Sequence, residues 1–242
     1  MFAIGKTDIG KLRLENQDKF RVCVIDDDTV FAVVCDGMGG AASGGLASEM
    51  TSNAVYERIR LSYRTDMEPK SVKSLLVSAV EAANAIVYNK SIEDKSNAGM
   101  GTTCVTALVH KNLLSITSVG DSRAYLIDKT GIIQITNDHT AVEMLHARGI
   151  ISEMEMKTHK MKNVITRAVG VDKTVEPDYF EVDLNGGEYV LICTDGLTNL
   201  VTDEDIYAMV YKQPIEHAVN ELINTANAHG GKDNITAVLI SV

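Results

Sequence analysis

Long apolar runs are missing from this sequence of 242 residues: no stretch approaches the roughly 20 apolar residues of a membrane span. Met1 to Lys11 also lack the basic start and apolar core of a secretory leader. A chain that does not insert into a membrane and stays in the cytoplasm is therefore expected. Basic residues are in short supply, 23 Lys and Arg against 33 Asp and Glu, for a formal net charge of −10. Nucleic acid is excluded as a partner on that ground, because backbone binding requires clustered Lys and Arg. Only Pro69, Pro177 and Pro214 punctuate the chain, and no linker, low-complexity run or internal repeat divides it. One domain over residues 1–242 is expected. Cys23, Cys35, Cys104 and Cys193 are far apart and sit in apolar, β-branched runs, which suits buried free thiols better than disulfides or a CxxC metal site.

What remains is ordinary globular composition, 45% hydrophobic and 23% charged. Strand patterns fall at Phe20 to Ile25, Val30 to Cys35, Thr103 to Val109, Leu114 to Val119, Arg123 to Ile127, Tyr179 to Leu184, Tyr189 to Cys193 and Ile235 to Val242. Asp26-Asp27-Asp28 reads as a hairpin tip, since the spaced acids and distal Glu of a calcium loop are missing. Helical patterns cover Leu46 to Leu61 and Val72 to Tyr88. In the second, Val72, Leu75, Leu76, Ala79, Ala83 and Ile86 form one stripe that should lie on a sheet, and Ile215, Val219, Leu222 and Ala226 repeat the device. Hairpin-linked strands interrupted by helices predict an α+β layered domain with antiparallel sheets.

The acids then gain meaning from their positions. Val33-Val34-Cys35-Asp36-Gly37 is an apolar strand ending in an acid and a glycine. Tyr189 to Gly196 repeats it at Asp195, Leu114 to Asp121 ends on Gly120-Asp121, and Asp233 precedes the last strand. One Asp-Gly pair marks an ordinary turn. Four acids at strand ends beside glycine predict a shared oxygen-rich site, with the Gly37 carbonyl as a further ligand. Mg²⁺ and Mn²⁺ prefer such oxygens, and two ions together can supply a hydroxide to phosphorus. Gly37-Met38-Gly39-Gly40-Ala41-Ala42 also fits the GxGxxA of a dinucleotide site. The helix that follows, where a second strand should stand, and the acid beside the expected pyrophosphate both count against that reading.

Taken together, these segments resemble the protein phosphatase 2C family, also called PPM, the metal-dependent serine/threonine phosphatases, in its compact bacterial form. The resemblance runs in order through Asp8 to Asp18, Asp36 to Gly40, Gly101-Thr102-Thr103, Val119 to Tyr125, Thr136 to His139, Ile165 to Gly170, Thr194 to Leu197 and Lys232 to Thr236. It implies a four-layer αββα sandwich of two antiparallel sheets with the metal cluster at one edge. By it, Asp36 bridges two metals, the Gly37 carbonyl completes one, and Asp195 and Asp233 hold the other. Asp121 with Asp195 holds a third, weaker metal. Arg13 grips the substrate phosphate, Asp18 orients metal-bound water, and Asn234 supports the loop of Asp233. Residues 139–163 resemble the family's variable flap.

Two positions depart from the family pattern. Gln17 stands where many members carry Glu, which removes a negative charge from the site. Ala41 stands where some carry a His that serves as general acid. The histidines, His139 and His159 included, are expected to be neutral and structural, and Arg123 to anchor a turn. The expected activity is direct hydrolysis of phosphoserine and phosphothreonine in proteins by a metal-bridging hydroxide. The expected partners are phosphorylated proteins and a cognate bacterial serine/threonine kinase, with the chain acting as a monomer. The rival reading is a phosphoprotein-binding module without catalysis, which metal-dependent turnover of any phosphomonoester would separate.

Overall fold

The computed structural model describes residues 1–39 and 43–242, so Ala41 and the end of the GxGxxA segment lie outside the described residues. The strands are β1 (Phe2–Asp8), β2 (Asp18–Asp26), β3 (Thr29–Met38), β4 (Gly101–Thr102), β5 (Cys104–His110), β6 (Leu113–Val119), β7 (Arg123–Asp128), β8 (Gly131–Gln134), β9 (Asp178–Asp183), β10 (Tyr189–Cys193) and β11 (Ile235–Ser241). The helices are α1 (Ser43–Ser62), α2 (Pro69–Glu93), α3 (Ala141–Ala147), α4 (Glu153–Thr158), α5 (Asp195–Thr198), α6 (Asp203–Tyr211) and α7 (Ile215–Ala228). One sheet runs β1-β11-β10-β7-β8 and the other β2-β3-β5-β6-β9, with β4 attached to β3. Every pairing is antiparallel.

Side-chain alternation explains the layering. In β3, Val30, Ala32 and Val34 point into a core shared with Val190, Ile192, Val238 and Ile240 of the other sheet. Phe31, Val33 and Cys35 point the opposite way, under Val55, Ile59, Leu76, Val80 and Val87 of α1 and α2. In β11, Ile235, Ala237 and Leu239 meet α6 and α7 through Ile206, Val219, Leu222 and Ile223. Three apolar cores thus separate four layers, α on β on β on α. Both faces of β3 and β11 are dry, which is why these strands read as unbroken apolar runs. Each fully buried Val, Leu or Ile contributes about 1.5–3 kcal/mol.

The structure corrects several expectations. Ile86 is 48% exposed and Val87 takes its place in the core, because the α2 stripe drifts around the helix beyond Ala83. Cys23 is only partly buried, although all four thiols are free. The patterns did not announce β1, β4 or β8, nor α3 to α6. In β1 the alternation is broken by Gly5, where a side chain would overlap the Phe20 ring from the facing sheet. The stretch read only as a flap contains α3 and α4, capped by Thr140 and by a Ser152–Glu155 capping box. The hairpin at Asp26 to Asp28 joins β2 to β3 as expected.

Candidate active site

The sequence-predicted acids come to one end of the paired sheets. Asp36 lies in β3, directly opposite Asp18 of β2. Asp195 follows β10 at the start of α5, Asp233 stands two residues before β11, and Asp121 lies in the passage from β6 to β7. Their proximity is felt electrostatically. Burial holds the Asp36 carboxyl well above the usual carboxylate range, and Asp18, Asp195, Asp121 and Asp233 push it further. Burial also raises Asp195, with Asp233 adding to the effect.

Neighbouring hydroxyls and amides hold these acids in place. Asp18 is buried, and its Oδ2 accepts from Thr194 Oγ1 at 2.8 Å and Thr236 Oγ1 at 2.7 Å. One carboxylate on β2 therefore ties together the segments that carry Asp195 and Asp233 on the other sheet. Thr103 fixes the Asp36 backbone: its N–H donates to the Asp36 carbonyl at 2.9 Å, and its Oγ1 accepts from the Asp36 N–H at 2.9 Å. The same Oγ1 lies 2.7 Å from Ser122 Oγ, next to Asp121. Glycine is required where strand ends crowd. A methyl on Gly37 would overlap the Gly44 carbonyl, and one on Gly196 would overlap that of Asn234.

Asn234 serves the segment that carries Arg13. Its Nδ2 donates to the carbonyls of Ile9 and Glu15, both at 2.9 Å, and its Oδ1 accepts from the Gln17 N–H at 2.8 Å. Arg13 reaches Asp233, Nη2 to Oδ2 at 2.6 Å, while the Asn234 N–H donates to Asp233 Oδ1 at 2.8 Å. The Gln17 carbonyl accepts from the Gly37 N–H at 3.2 Å and from the Ser48 hydroxyl. The Gln17 side-chain oxygen sits where a Cβ on Gly44 would be, within 2.6 Å.

His139 is buried, and its Nδ1 accepts from the Gly120 N–H at 3.0 Å. Its Nε2 lies 3.2 Å from Asp178 Oδ2 and 3.0 Å from Arg167 Nη1, and burial holds the imidazole pKa below the ordinary value. Arg167 pairs with the same carboxylate at 2.6 Å. Arg123 grips Asp138 through Nε and Nη2 and donates to Tyr125 Oη at 3.0 Å. The structural readings of His139 and Arg123 agree with these contacts. Sequence reasoning assigned no part to Thr103, Ser122, Thr194 or Thr236. The signal was present, since each hydroxyl residue stands within three positions of Asp121, Asp195 or Asp233, or opposite Asp36.

The donor set suits a hard cation. Asp18 Oδ1 and Asp121 Oδ1 are buried without a hydrogen-bond partner. Burial lifts both carboxyls to about 7, against Asp18's hydroxyl bonds and with Asp195 adding to both. Positive charge among these oxygens would relieve the repulsion. Among the described residues no three His, Cys, Asp or Glu side chains are already gathered as a metal cage. Asp233 is held by Arg13, and Asp195 Oδ2 by Asn199 at 2.9 Å.

Comparison with known proteins agrees with this geometry. Residues 11–239 match the family model described as protein phosphatase 2C. Serine/threonine phosphatase stp of Listeria monocytogenes serotype 4b (strain F2365) is 34% identical, over 99% of this chain and 95% of that protein. Protein phosphatase PhpP of Streptococcus pneumoniae serotype 2 is 32% identical, over 98% and 95%. The crystal structure of serine/threonine phosphatase Stp1 from Staphylococcus aureus superposes with a TM-score of 0.92 at 35% identity, covering 99% of this chain and 94% of that one. With the αββα layers, the acids at their edge and these likenesses in agreement, the chain is a protein phosphatase and belongs to the protein phosphatase 2C family.

Proposed function

We propose that the chain is one catalytic domain over residues 1–242 that hydrolyses phosphoserine and phosphothreonine in proteins, with two or three Mg²⁺ or Mn²⁺ ions. The observation that carries this reading is the convergence of Asp18, Asp36, Asp121, Asp195 and Asp233 on one another, seen in the charge that Asp36 feels from the other four. Asp36, the Gly37 carbonyl, Asp195 and Asp233 would hold two cations, and Asp121 with Asp195 a third. Cations bound there supply a nucleophile from water near neutral pH and offset charge on the phosphoryl oxygens.

The protein's own groups do the rest. Arg13 takes the phosphoryl group, for its planar donors meet two oxygens at once, and Asp233 holds the guanidinium at the site until substrate arrives. Asp18 Oδ1, buried and without a donor, is the acceptor that orients the attacking water. Gln17 contributes an amide where a carboxylate would add charge, which lowers cation affinity. The stretch 139–163, tied at its base by the Ala141 N–H to Val164 carbonyl bond and the Thr166 N–H to His139 carbonyl bond, both 2.8 Å, borders Gly120-Asp121 and sorts substrates.

The substrates we assign are phosphoproteins, among them a cognate serine/threonine kinase whose action the enzyme reverses as a monomer in the cytoplasm. Four free thiols fit a reducing compartment, and no helix among the described residues is long and apolar enough to cross a membrane. The test is hydrolysis of p-nitrophenyl phosphate and a phosphothreonine peptide with Mn²⁺, with Mg²⁺ and with excess chelator. Turnover that needs metal and ends with chelator is expected. Cation binding by calorimetry without turnover under any condition would favour the binding module instead.

A further inference from the structure

Two lysines flank Arg13 and Asp233 without a partner of their own. Lys11 and Lys232 are both exposed, and among the described residues neither side chain has an ion pair or hydrogen bond. The chain folds them side by side: the Lys11 N–H donates to the Gly231 carbonyl at 2.7 Å, and Lys11 Cγ lies within 3.1 Å of where a Gly231 Cβ would stand. Lys232 is the next residue, and Asp233, the partner of Arg13, follows it.

The backbone under this pair is fixed. Asn234 holds the carbonyls on either side of Arg13, at Ile9 and Glu15, and Asp8 Oδ1 accepts from the Gly10 N–H at 2.8 Å and from Asn227 Nδ2 at 3.0 Å. The backbone that carries both lysines is therefore held beside the segment of Arg13, and their exposed side chains are flexible stems. In a protein of net charge −10, these two lysines are unpaired cations on the segments that carry Arg13 and Asp233. Neither lysine ammonium is engaged by the fold, and on the phosphatase reading Arg13 already serves the phosphate to be removed.

Resting on the phosphatase reading, we propose that Lys11 and Lys232 recognise a second anionic group on the substrate polypeptide, within a few residues of the phosphothreonine or phosphoserine being hydrolysed. Lysine suits such recognition, since an ammonium is a mobile point charge that accepts a carboxylate or a second phosphate in varied geometry, where arginine demands a planar match. The consequence is selectivity for acidic or doubly phosphorylated segments, which would otherwise be repelled by the enzyme's negative surface. Exposed ion pairs are weak singly, so each lysine is worth about 2- to 5-fold in kcat/KM.

The experiment compares kcat/KM of wild type, Lys11→Ala, Lys232→Ala and the double variant on four phosphothreonine peptides. Their flanks are neutral, Glu-rich, Lys-rich, or bear a second phosphate, and p-nitrophenyl phosphate is the reference. We expect wild type to favour the Glu-rich or doubly phosphorylated peptide over the neutral one by roughly 5- to 10-fold at low salt, with the preference shrinking as salt is added. The double variant should lose that preference and keep p-nitrophenyl phosphate turnover. The ranking of the Glu-rich and doubly phosphorylated peptides identifies the anion. Equal rates on all four peptides in wild type, a preference that survives in the double variant, or a parallel fall in p-nitrophenyl phosphate turnover would each overturn the assignment. Absence of turnover on every ester by wild type would instead remove the phosphatase reading, and this inference with it.

Discussion

Asp18 offers a test in which stability and activity move in opposite directions. Its carboxyl is buried between the sheets, and burial raises its pKa from 3.8 to about 7. A raised acid binds its proton more tightly in the folded state than in the unfolded one. Folding stability is therefore lost as pH climbs from about 4 to about 7, and the deficit stays constant above that. At about 1.4 kcal/mol for each tenfold, the rise corresponds to an ionisation cost on the order of 4 kcal/mol in the metal-free protein. Asp18→Asn removes that charge, and its amide oxygen still accepts from Thr194 and Thr236. The new NH₂ takes the place of Oδ1, which has no partner, at a cost of about 1–3 kcal/mol. The variant should thus be equal or less stable at pH 5, but more stable at pH 8 by about 1–3 kcal/mol, roughly 2–10 °C for a chain of this length. Thermal unfolding of chelator-treated proteins across pH 5–8.5 reads this directly. Added Mn²⁺ should stabilise wild type more than the variant, and phosphatase turnover should fall about 10- to 100-fold, as expected when an orienting partner is removed. A stability gap that is the same at pH 5 and pH 8 would refute the buried-charge argument.

Other consequences are simpler to state. Asp36→Ala should lower kcat by about 10³-fold, because several kcal/mol of charge stabilisation depend on the cations it would hold; a wild-type rate on phosphopeptide removes the site assignment. Asn234→Ala deletes three hydrogen bonds to the Arg13 segment and should cost about 2–4 kcal/mol in urea unfolding, together with a raised KM. Gly196→Ala would force a methyl into the Asn234 carbonyl, so it should lower both Tm and metal affinity, whereas Gly186→Ala, beside open space at φ +88°, should lower Tm modestly and leave metal affinity unchanged. His139→Asn keeps a small acceptor near Gly120 and should retain more Mn²⁺-dependent stabilisation than His139→Ala, as measured by the shift of Tm with metal.

Much of this arrangement was legible in the sequence because the core and the site both sit on strand ends. The unbroken apolar runs of β3, β10 and β11 announced strands, and the acid-glycine breaks marked where β3 and β10 stop. The elements that escaped are those whose reasons lie elsewhere in the fold. Gly5 interrupts β1 for the sake of Phe20, and β4 is two residues long, set by its pairing with Gly37 and Met38. The helices α3, α4 and α6 are short and start from side-chain caps at Thr140, Ser152 and Thr202, a signal that lies in single residues rather than in an apolar stripe. Asn234 was expected to support the loop that carries Asp233. Its N–H does bond Asp233, while its side chain reaches Ile9, Glu15 and Gln17, far away in sequence, a partnership that no local pattern encodes.

The hydroxyl residues explain how a fold tolerates this site. Five acids at one edge repel one another, and each raised carboxyl weakens the folded state near neutral pH when no cation is bound. Thr194 and Thr236 counter this at Asp18, Thr103 pins the Asp36 backbone, and Ser122 joins Thr103 to the segment of Asp121. These groups are small and uncharged, Thr194 and Thr236 bonding across the two sheets and Thr103 within one, so they hold the acids in place without neutralising them. A lysine or arginine at the centre would have quenched the repulsion more cheaply, and with it the affinity for divalent cations. The arginine that is present reaches Asp233 from the rim, on a side chain 55% exposed, where an incoming phosphate can compete for it. Stability is therefore conceded at the acids and recovered in the three apolar cores behind them, a division that leaves the edge free to bind charge.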